Sequence, residues 1–226
     1  MEPSQSPSTP RNAAARQVKR ASAIVLVLLV LAAPFALINR GFSMLGMGTD
    51  ETLHTLLRFC ALMGISLLFL QILTGAFRPI LSRLYKRGTV QAFHTSTGLL
   101  GLALIVCHFV LMIPSIGEHW AGLNHGFFVL GPIMLLVLVT TISTALALRR
   151  SHPGVWSRLH VLNYMVFTVG LIHAMGIGTQ GSALAGRIVL GVYLVIGLSA
   201  LAYRARSAAW RRRFVPAAVR ARSGGA

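Results

Sequence analysis

Six long apolar segments limit the folds that are open to this chain. They cover residues 24–38, 53–77, 91–113, 126–148, 155–178 and 184–203. A helix needs about 20 apolar residues to cross a hydrocarbon layer about 30 Å thick, and most of the segments reach that length. Charged residues make up only 11% of the 226 residues, whereas soluble domains average about 25%. The sequence therefore predicts an all-α integral membrane protein, a bundle of six transmembrane helices.

The first segment is the shortest and follows a basic stretch, as a cleaved signal peptide would. No small-x-small cleavage site precedes Asn39-Arg40, so we expect the segment to be retained as the first helix. Residues 1–21 are rich in Pro, Ser and Arg and are predicted as a disordered basic tail. Residues 22–204 form the predicted membrane domain, and residues 205–226 form a second basic tail on the cytoplasmic side.

Basic residues are concentrated between alternate apolar segments. Of the 21 Lys and Arg residues, 18 lie in residues 1–21, 78–90, 149–158 and 204–226. Because cytoplasmic loops are enriched in Lys and Arg, we expect both termini in the cytoplasm and a multi-pass location in a cell membrane, such as the bacterial plasma membrane. The net charge of +17 then reflects topology and contact with anionic lipid. Nucleic-acid binding is not expected, since no soluble domain is present to organise a binding face.

Four histidines lie inside the apolar segments. His94 and His108 share the third segment, and His160 and His173 share the fifth. These two segments would cross the membrane in the same direction, so His94 pairs in depth with His160 on the cytoplasmic side, and His108 with His173 on the outer side. Ionisable groups are costly in lipid and often functional. The pairs are separated by about 20 Å along the helix axis, which predicts two b-type haems, each ligated by two histidines.

The spacing within each segment is a test of this interpretation. Fourteen residues place His94 and His108 about 40° apart around an ideal helix, whereas 13 residues leave His160 and His173 about 140° apart. Gly170 lies between the latter two and could permit a kink. The alternative is that all four are core histidines bonded to carbonyls or hydroxyls of neighbouring helices. A single zinc site is not expected, because the pairs are too far apart.

Several arginines are secondary candidates. Arg58 lies near the outer end of the second segment, where it could pair with a propionate of the outer haem or extend to the membrane surface. Arg40 and Arg187 are weaker candidates for the same role. A further group could meet the inner propionates, although membrane topology explains it better: Arg78, Arg149, Arg150 and Arg158.

Two other groups of side chains are candidates for a metal site and for a cysteine pair. Glu118, His119 and His125 share an outer loop, which we interpret as solvated, with a ferric or cupric site as the alternative. Cys60 and Cys107 lie at similar depth in the second and third segments. We expect buried free thiols, since membrane cysteines mostly act as small apolar residues, and a disulfide remains possible.

The histidine pattern resembles that of the ferric-reductase-like transmembrane domain, the six-helix haem core of ferric reductases and NADPH oxidases. The matching residues span roughly residues 22–203 and are Phe93-His94, His108, Trp156-x-x-Leu159-His160, Tyr164 and His173. Members of that family show the same pair of 14- and 13-residue spacings. The resemblance implies that His94 and His160 bind the inner haem, that His108 and His173 bind the outer one, and that Arg58 lies near the outer haem.

The chain is also similar to the haem-binding membrane subunit of bacterial methionine-sulfoxide reductase systems. That subunit lacks the first histidine of its third helix, whereas His94 is present here, which favours two haems. We expect electron transfer from a cytoplasmic donor to an acceptor outside. Because no nucleotide or flavin motif is present, the donor would be a partner flavoprotein or membrane quinol. The acceptor could be a ferric chelate, dioxygen or a partner reductase. The alternatives are a quinone-linked cytochrome b subunit and a haem-free transporter or scaffold.

Overall fold

The computed structural model describes residues 10–38, 49–119, 125–177 and 184–214. Within these ranges the chain forms seven helices and no strand. In chain order they are α1 (Pro10–Leu37), α2 (Thr49–Ala76), α3 (Arg78–Leu84), α4 (Arg87–His119), α5 (His125–Leu148), α6 (Pro153–Ile177) and α7 (Leu184–Phe214). All except α3 are long and apolar enough to cross a membrane. The predicted all-α fold with six apolar helices is confirmed, and the chain is a multi-pass membrane protein.

Two helices extend beyond the predicted membrane domain. Helix α1 begins at Pro10 and α7 ends at Phe214, so residues 10–21 and 205–214 are helical where we predicted tails. The physical reason is that extending a helix already formed costs little, and these residues include many Ala and Arg, which favour helix. Residues 1–9 and 215–226, the remainder of the predicted tails, lie outside the described residues.

The short helix α3 was not predicted and connects the second and third spans. Its C-terminal end is held by α1: Arg20 Nε donates to Leu84 O at 2.8 Å, and Tyr85 Oη donates to Arg20 O at 3.1 Å. The Arg20 guanidinium also lies 5.7 Å from the centre of the Tyr85 ring. A cation at the last carbonyls of a helix is favourable, so Arg20 ties the first helix to this connection.

Helix α2 is the centre of the bundle and packs against α1, α4, α6 and α7. Its Phe69 is 1% exposed and stacks on Tyr193 of α7 and Phe167 of α6, at 4.3 and 5.9 Å between ring centroids. The outward faces of the other helices are, by contrast, exposed. Leu136 of α5, for example, is 69% exposed, as is expected of a side chain that faces lipid.

The bundle contains two closely packed helix pairs, α2 with α4 and α5 with α6. Glycines permit the close approach of α2 and α4. A Cβ built on Gly101 would lie 3.3 Å from Leu67 Cβ and 3.6 Å from Gly64 O, and one on Gly64 would lie 2.7 Å from Ile105 Cγ1. Small residues allow such approaches between membrane helices. Because α4 packs mainly on α2 and α6 mainly on α5, a cleft remains between α4 and α6.

Candidate functional site

The cleft between α4 and α6 contains the first predicted histidine pair. It encloses about 760 Å³ including its open mouth, and its lining comes from α2, α4, α5 and α6. Most of the lining is apolar, with Leu68, Leu99 and Leu138 among its residues. His94 and His160 lie on opposite walls, with 6.0 Å between ring centroids and 63° between ring planes. The structure therefore brings together the two residues predicted as one ligand pair.

His94 is fixed by two polar residues of α2. Its Nδ1 lies 2.8 Å from Thr74 Oγ1, and the same hydroxyl donates to Leu70 O at 2.8 Å. Because the hydroxyl hydrogen is used there, the oxygen accepts the hydrogen bond from His94 Nδ1. Gln71 Nε2 donates to the backbone oxygen of His94 at 2.5 Å and also to Thr97 Oγ1. These contacts leave Nε2 as the nitrogen of His94 that carries a lone pair.

His160 is held in a similar way by polar residues of α6 and α5. Its Nδ1 lies 3.3 Å from the side-chain amide of Asn163, which in turn contacts Thr141 Oγ1 at 2.6 Å. The amide nitrogen, Asn163 Nδ2, is the atom next to His160, whereas the amide oxygen accepts the hydrogen bond from Thr141. The Thr141 hydroxyl also lies 3.0 Å from Leu138 O. Trp156 stacks on the His160 ring, with 5.4 Å between centroids.

The second predicted pair is anchored by backbone carbonyls. His108 Nδ1 lies 3.2 Å from Leu57 O on α2, and His173 Nδ1 lies 2.7 Å from Phe127 O on α5. A carbonyl oxygen can only accept a hydrogen bond, so each ring carries its proton on Nδ1 and a lone pair on Nε2. His108 lies within electrostatic range of His173. The His173 ring lies directly against Gly131, where a Cβ would be only 2.9 Å from His173 Cε1.

All four histidines have a protein partner at Nδ1. The histidines of α4 contact α2, His173 contacts Phe127 O of α5, and His160 contacts Asn163 of its own helix, which is linked to α5 through Thr141. Histidines that bind metals usually donate their other ring N–H to a carbonyl, carboxylate or similar acceptor. Sequence reasoning did not find these partners, because polar residues such as Thr74 carry no signal until the register of the helices is known.

The different directions of His160 and His173 follow from the same packing. Helix α6 runs without a break from Pro153 to Ile177, through Gly170, where we considered a kink. His160 lies beside His94 of α4, whereas His173 leans on α5 through its bond to Phe127 O. His160 and His173, about 140° apart around an ideal helix, therefore contact two different helices.

Positive charge gathers near the His94 and His160 end of the cleft. Arg204 Nη1 donates to Tyr164 Oη at 3.4 Å, and its guanidinium lies 5.6 Å from the centre of that ring. A Cβ on Gly75 would lie 3.8 Å from both of these groups and 3.9 Å from His94 Cε1, so they converge on one point. Arg149 lines the cleft itself. Sequence reasoning did not single out Arg204, which is one of several basic residues at the end of the last span.

The remaining arginine candidates do not line this cleft, although Arg78 is near enough for its charge to act on His94. Arg58 is exposed on α2, directly after Leu57, whose carbonyl holds His108. Its predicted contact with a haem stays a prediction. Arg187, Arg78, Arg150 and Arg158 are also exposed.

Three of the candidate side chains are not among those described. Arg40 lies outside the described residues, as do the side chains of Glu118 and His119, whereas His125 is the first residue of α5. Across the described ranges, no group of three or more His, Cys, Asp and Glu residues is arranged to hold a metal ion.

Comparison with known proteins gives no match. No protein-family model, no curated protein and no solved structure was found to be similar to this chain. The resemblance to the ferric-reductase-like domain therefore rests on the residues named above, and the family stays a prediction.

Proposed function

We propose that this chain is a b-type cytochrome of the ferric-reductase-like kind, which carries electrons across a membrane through two haems. His94 and His160 would hold one haem, and His108 and His173 the other. The observation that supports this most strongly is that Nδ1 of each of the four histidines is engaged by a protein partner. The Nε2 atoms are left to bind a metal.

The spacing of His94 and His160 fits a metal held between two imidazoles. Bonds from imidazole nitrogen to a metal are about 2.0–2.1 Å long. Two imidazoles that bind one metal through bonds of this length have ring centroids no more than about 6.4 Å apart, and the observed separation of 6.0 Å is within that limit.

The polar residues around the cleft also suit a cofactor that carries carboxylates. Trp156 lines the cleft, and its buried Nε1–H has no hydrogen-bond acceptor in the described part of the chain. A buried donor without an acceptor is costly, so a bound group that accepts this hydrogen bond would remove the cost. Arg149 and Arg204 supply positive charge at the same end, as a propionate would require.

When bound, haem supplies reversible one-electron chemistry at each site. The residues of this chain fix the orientation of the imidazoles and line the first site with apolar walls. Acceptors at Nδ1 keep the ring proton on that nitrogen in His94, His108 and His173. The acceptor at Nδ1 also sets how basic the ligating nitrogen is. Thr74 and Asn163 act on the first pair, whereas backbone carbonyls act on the second, so we expect the two sites to differ in potential.

The distribution of charge supports a direction for the electron. The helix ends with the His94 and His160 cleft carry most of the Lys and Arg residues, and the positive-inside rule assigns this side to the cytoplasm. A flavoprotein or quinol would deliver electrons there, and a ferric chelate, dioxygen or a reductase would accept them near His108 and His173. Arg58 would attract an anionic acceptor or meet a propionate of the outer haem. The location that follows is a cell membrane, with both termini inside.

The test is the haem content of the purified protein, measured from its reduced-minus-oxidised spectrum. We expect about two haems per chain in the unaltered protein and about one in the His94→Ala and His108→Ala variants. His152→Ala is the matched control, because His152 is exposed in the turn between α5 and α6, and it should retain both haems. An unchanged content in His108→Ala would contradict the ligand assignment. A protein without b-type absorbance would instead indicate a haem-free transporter or scaffold.

A further inference from the structure

The two cysteines of the chain meet at the contact between α2 and α4. Cys60 of α2 and Cys107 of α4 have their sulfur atoms 3.7 Å apart. Cys60 is 2% exposed, and Cys107 is half-buried. They are the only cysteines in the sequence. Nothing in the electron path proposed above uses them, although Cys107 directly precedes His108.

The backbones of α2 and α4 are close at this level of the bundle. One turn along α2, Gly64 lies against α4, with its carbonyl oxygen 3.6 Å from a Cβ built on Gly101. On the other side, Leu57 O binds His108. A disulfide requires Cα atoms about 4.4–6.8 Å apart and a sulfur–sulfur bond of about 2.05 Å. Helices that cross this closely suit that requirement, and rotation of the two side chains can bring the sulfurs together.

We propose that Cys60 and Cys107 are a redox-active pair that closes reversibly into a disulfide between α2 and α4. Both lie inside spans, so the oxidant must dissolve in lipid, and a membrane quinone has this property. The two S–H bonds break, one S–S bond forms, and two electrons and two protons pass to the quinone, which leaves as quinol. The sulfurs are oxidised and the quinone is reduced, so the reaction balances without another reactant.

The position of the pair gives the disulfide a consequence. It would fix the distance between α2 and α4 one residue from His108 and three residues from Leu57, the two residues that the His108 hydrogen bond joins. The oxidation state of the pair would then alter the environment of His108. This second step rests on the proposed function, whereas the formation of the disulfide does not.

The experiment uses the full-length protein in detergent without air, with a short-chain quinone in excess. Intact mass should fall by about 2 Da, which is the loss of two hydrogens on forming one bridge. Both thiols should become unreactive toward a maleimide added after unfolding, one quinol should appear per chain, and dithiothreitol should restore both thiols. Two thiols that remain reactive after quinone treatment, or oxidation that gives only cross-linked dimers, would overturn the proposal.

Single serine variants provide the control. Cys60→Ser and Cys107→Ser each keep one thiol, so neither should form an internal bridge or yield the stoichiometric quinol. Quinol formation that persists in both variants would show another source of electrons and would also overturn the proposal. Haem content is recorded on the same samples. A bridge that forms in protein without haem would support the cysteine pair while contradicting the proposed function, so the two failures are distinguishable.

Discussion

Replacement of Gly131 by alanine would place a methyl group against the ring of His173. The added Cβ would lie 2.9 Å from Cε1, 3.2 Å from Nε2 and 3.5 Å from Nδ1 of that ring. Carbon atoms are in favourable contact at about 3.5–4.0 Å, so the ring must move by roughly 0.6 Å or more. Such a movement disturbs the 2.7 Å hydrogen bond to Phe127 O, and the methyl crowds the nitrogen proposed to bind the outer haem.

The magnitude follows from two opposing effects. Overpacking of a filled site costs about 1–3 kcal/mol, while alanine in place of glycine inside a helix gains about 0.5–1 kcal/mol. The net cost is therefore about 0–2.5 kcal/mol, with a midpoint of about 1.3 kcal/mol, and the midpoint corresponds to a roughly tenfold lower population of the native His173 geometry. We expect Gly131→Ala to lose the outer haem preferentially and to unfold at a lower temperature than the unaltered protein.

Gly191→Ala is the matched control, because a Cβ on Gly191 of α7 would meet nothing within 4 Å. It should retain two haems and show equal or higher thermal stability, since only the gain in helix propensity remains. The measurements are haem content per chain and thermal unfolding in detergent. If Gly131→Ala kept both haems and matched Gly191→Ala in stability, the position assigned to the His173 ring would be refuted.

Three further predictions test other parts of the structure. Thr74→Val removes the acceptor of His94 and should raise the midpoint potential of the inner haem by about 20–60 mV, the equivalent of one hydrogen bond. Thr74→Ser keeps the hydroxyl and should leave the potential unchanged. Redox titration measures both variants, and equal shifts would contradict the role of the hydroxyl. Phe69→Ala should leave a cavity and lower the free energy of unfolding by about 3–5 kcal/mol, whereas Leu136→Ala, on the lipid face, should change it little. Denaturant unfolding compares the two variants, and equal losses would contradict the burial of Phe69 between α2, α6 and α7. If the C-terminus is cytoplasmic, green fluorescent protein fused after Ala226 should fluoresce, and alkaline phosphatase fused at the same point should be inactive. The reverse result would invert the proposed topology.

The sequence was sufficient to predict the six long apolar helices, for a simple physical reason. Apolar length determines whether a helix can cross a membrane, and it does not depend on how the helices pack. The pairing of His94 with His160 could also be predicted, since depth follows from topology and helical rise. Their 6.0 Å separation could not, because it depends on the distance and rotation of two helices that are distant in sequence.

The hydrogen-bond partners of the histidines lay beyond sequence reasoning for a related reason. Thr74 and Asn163 are polar residues in apolar helices, where Thr can equally bond to the carbonyl four residues before it in its own helix. Thr74 does so, to Leu70 O, and contacts His94 as well. Only the antiparallel register of α2 and α4 distinguishes the two roles. The helical extensions of α1 and α7 were missed because composition describes the preference of a segment alone, not its attachment to a formed helix.

The two helix pairs offer an explanation for the unequal spacings of the histidines. In α2 and α4, contacts run antiparallel from Leu57 with His108 to Thr74 with His94, so 17 residues of one helix span 14 of the other. In α5 and α6, Phe127 contacts His173, and the other end is reached through Asn163 instead of directly. A histidine that reaches its partner through an added side chain need not share the face of the other histidine on its helix. The 13-residue spacing of α6 therefore corresponds to two different neighbours, α4 for His160 and α5 for His173.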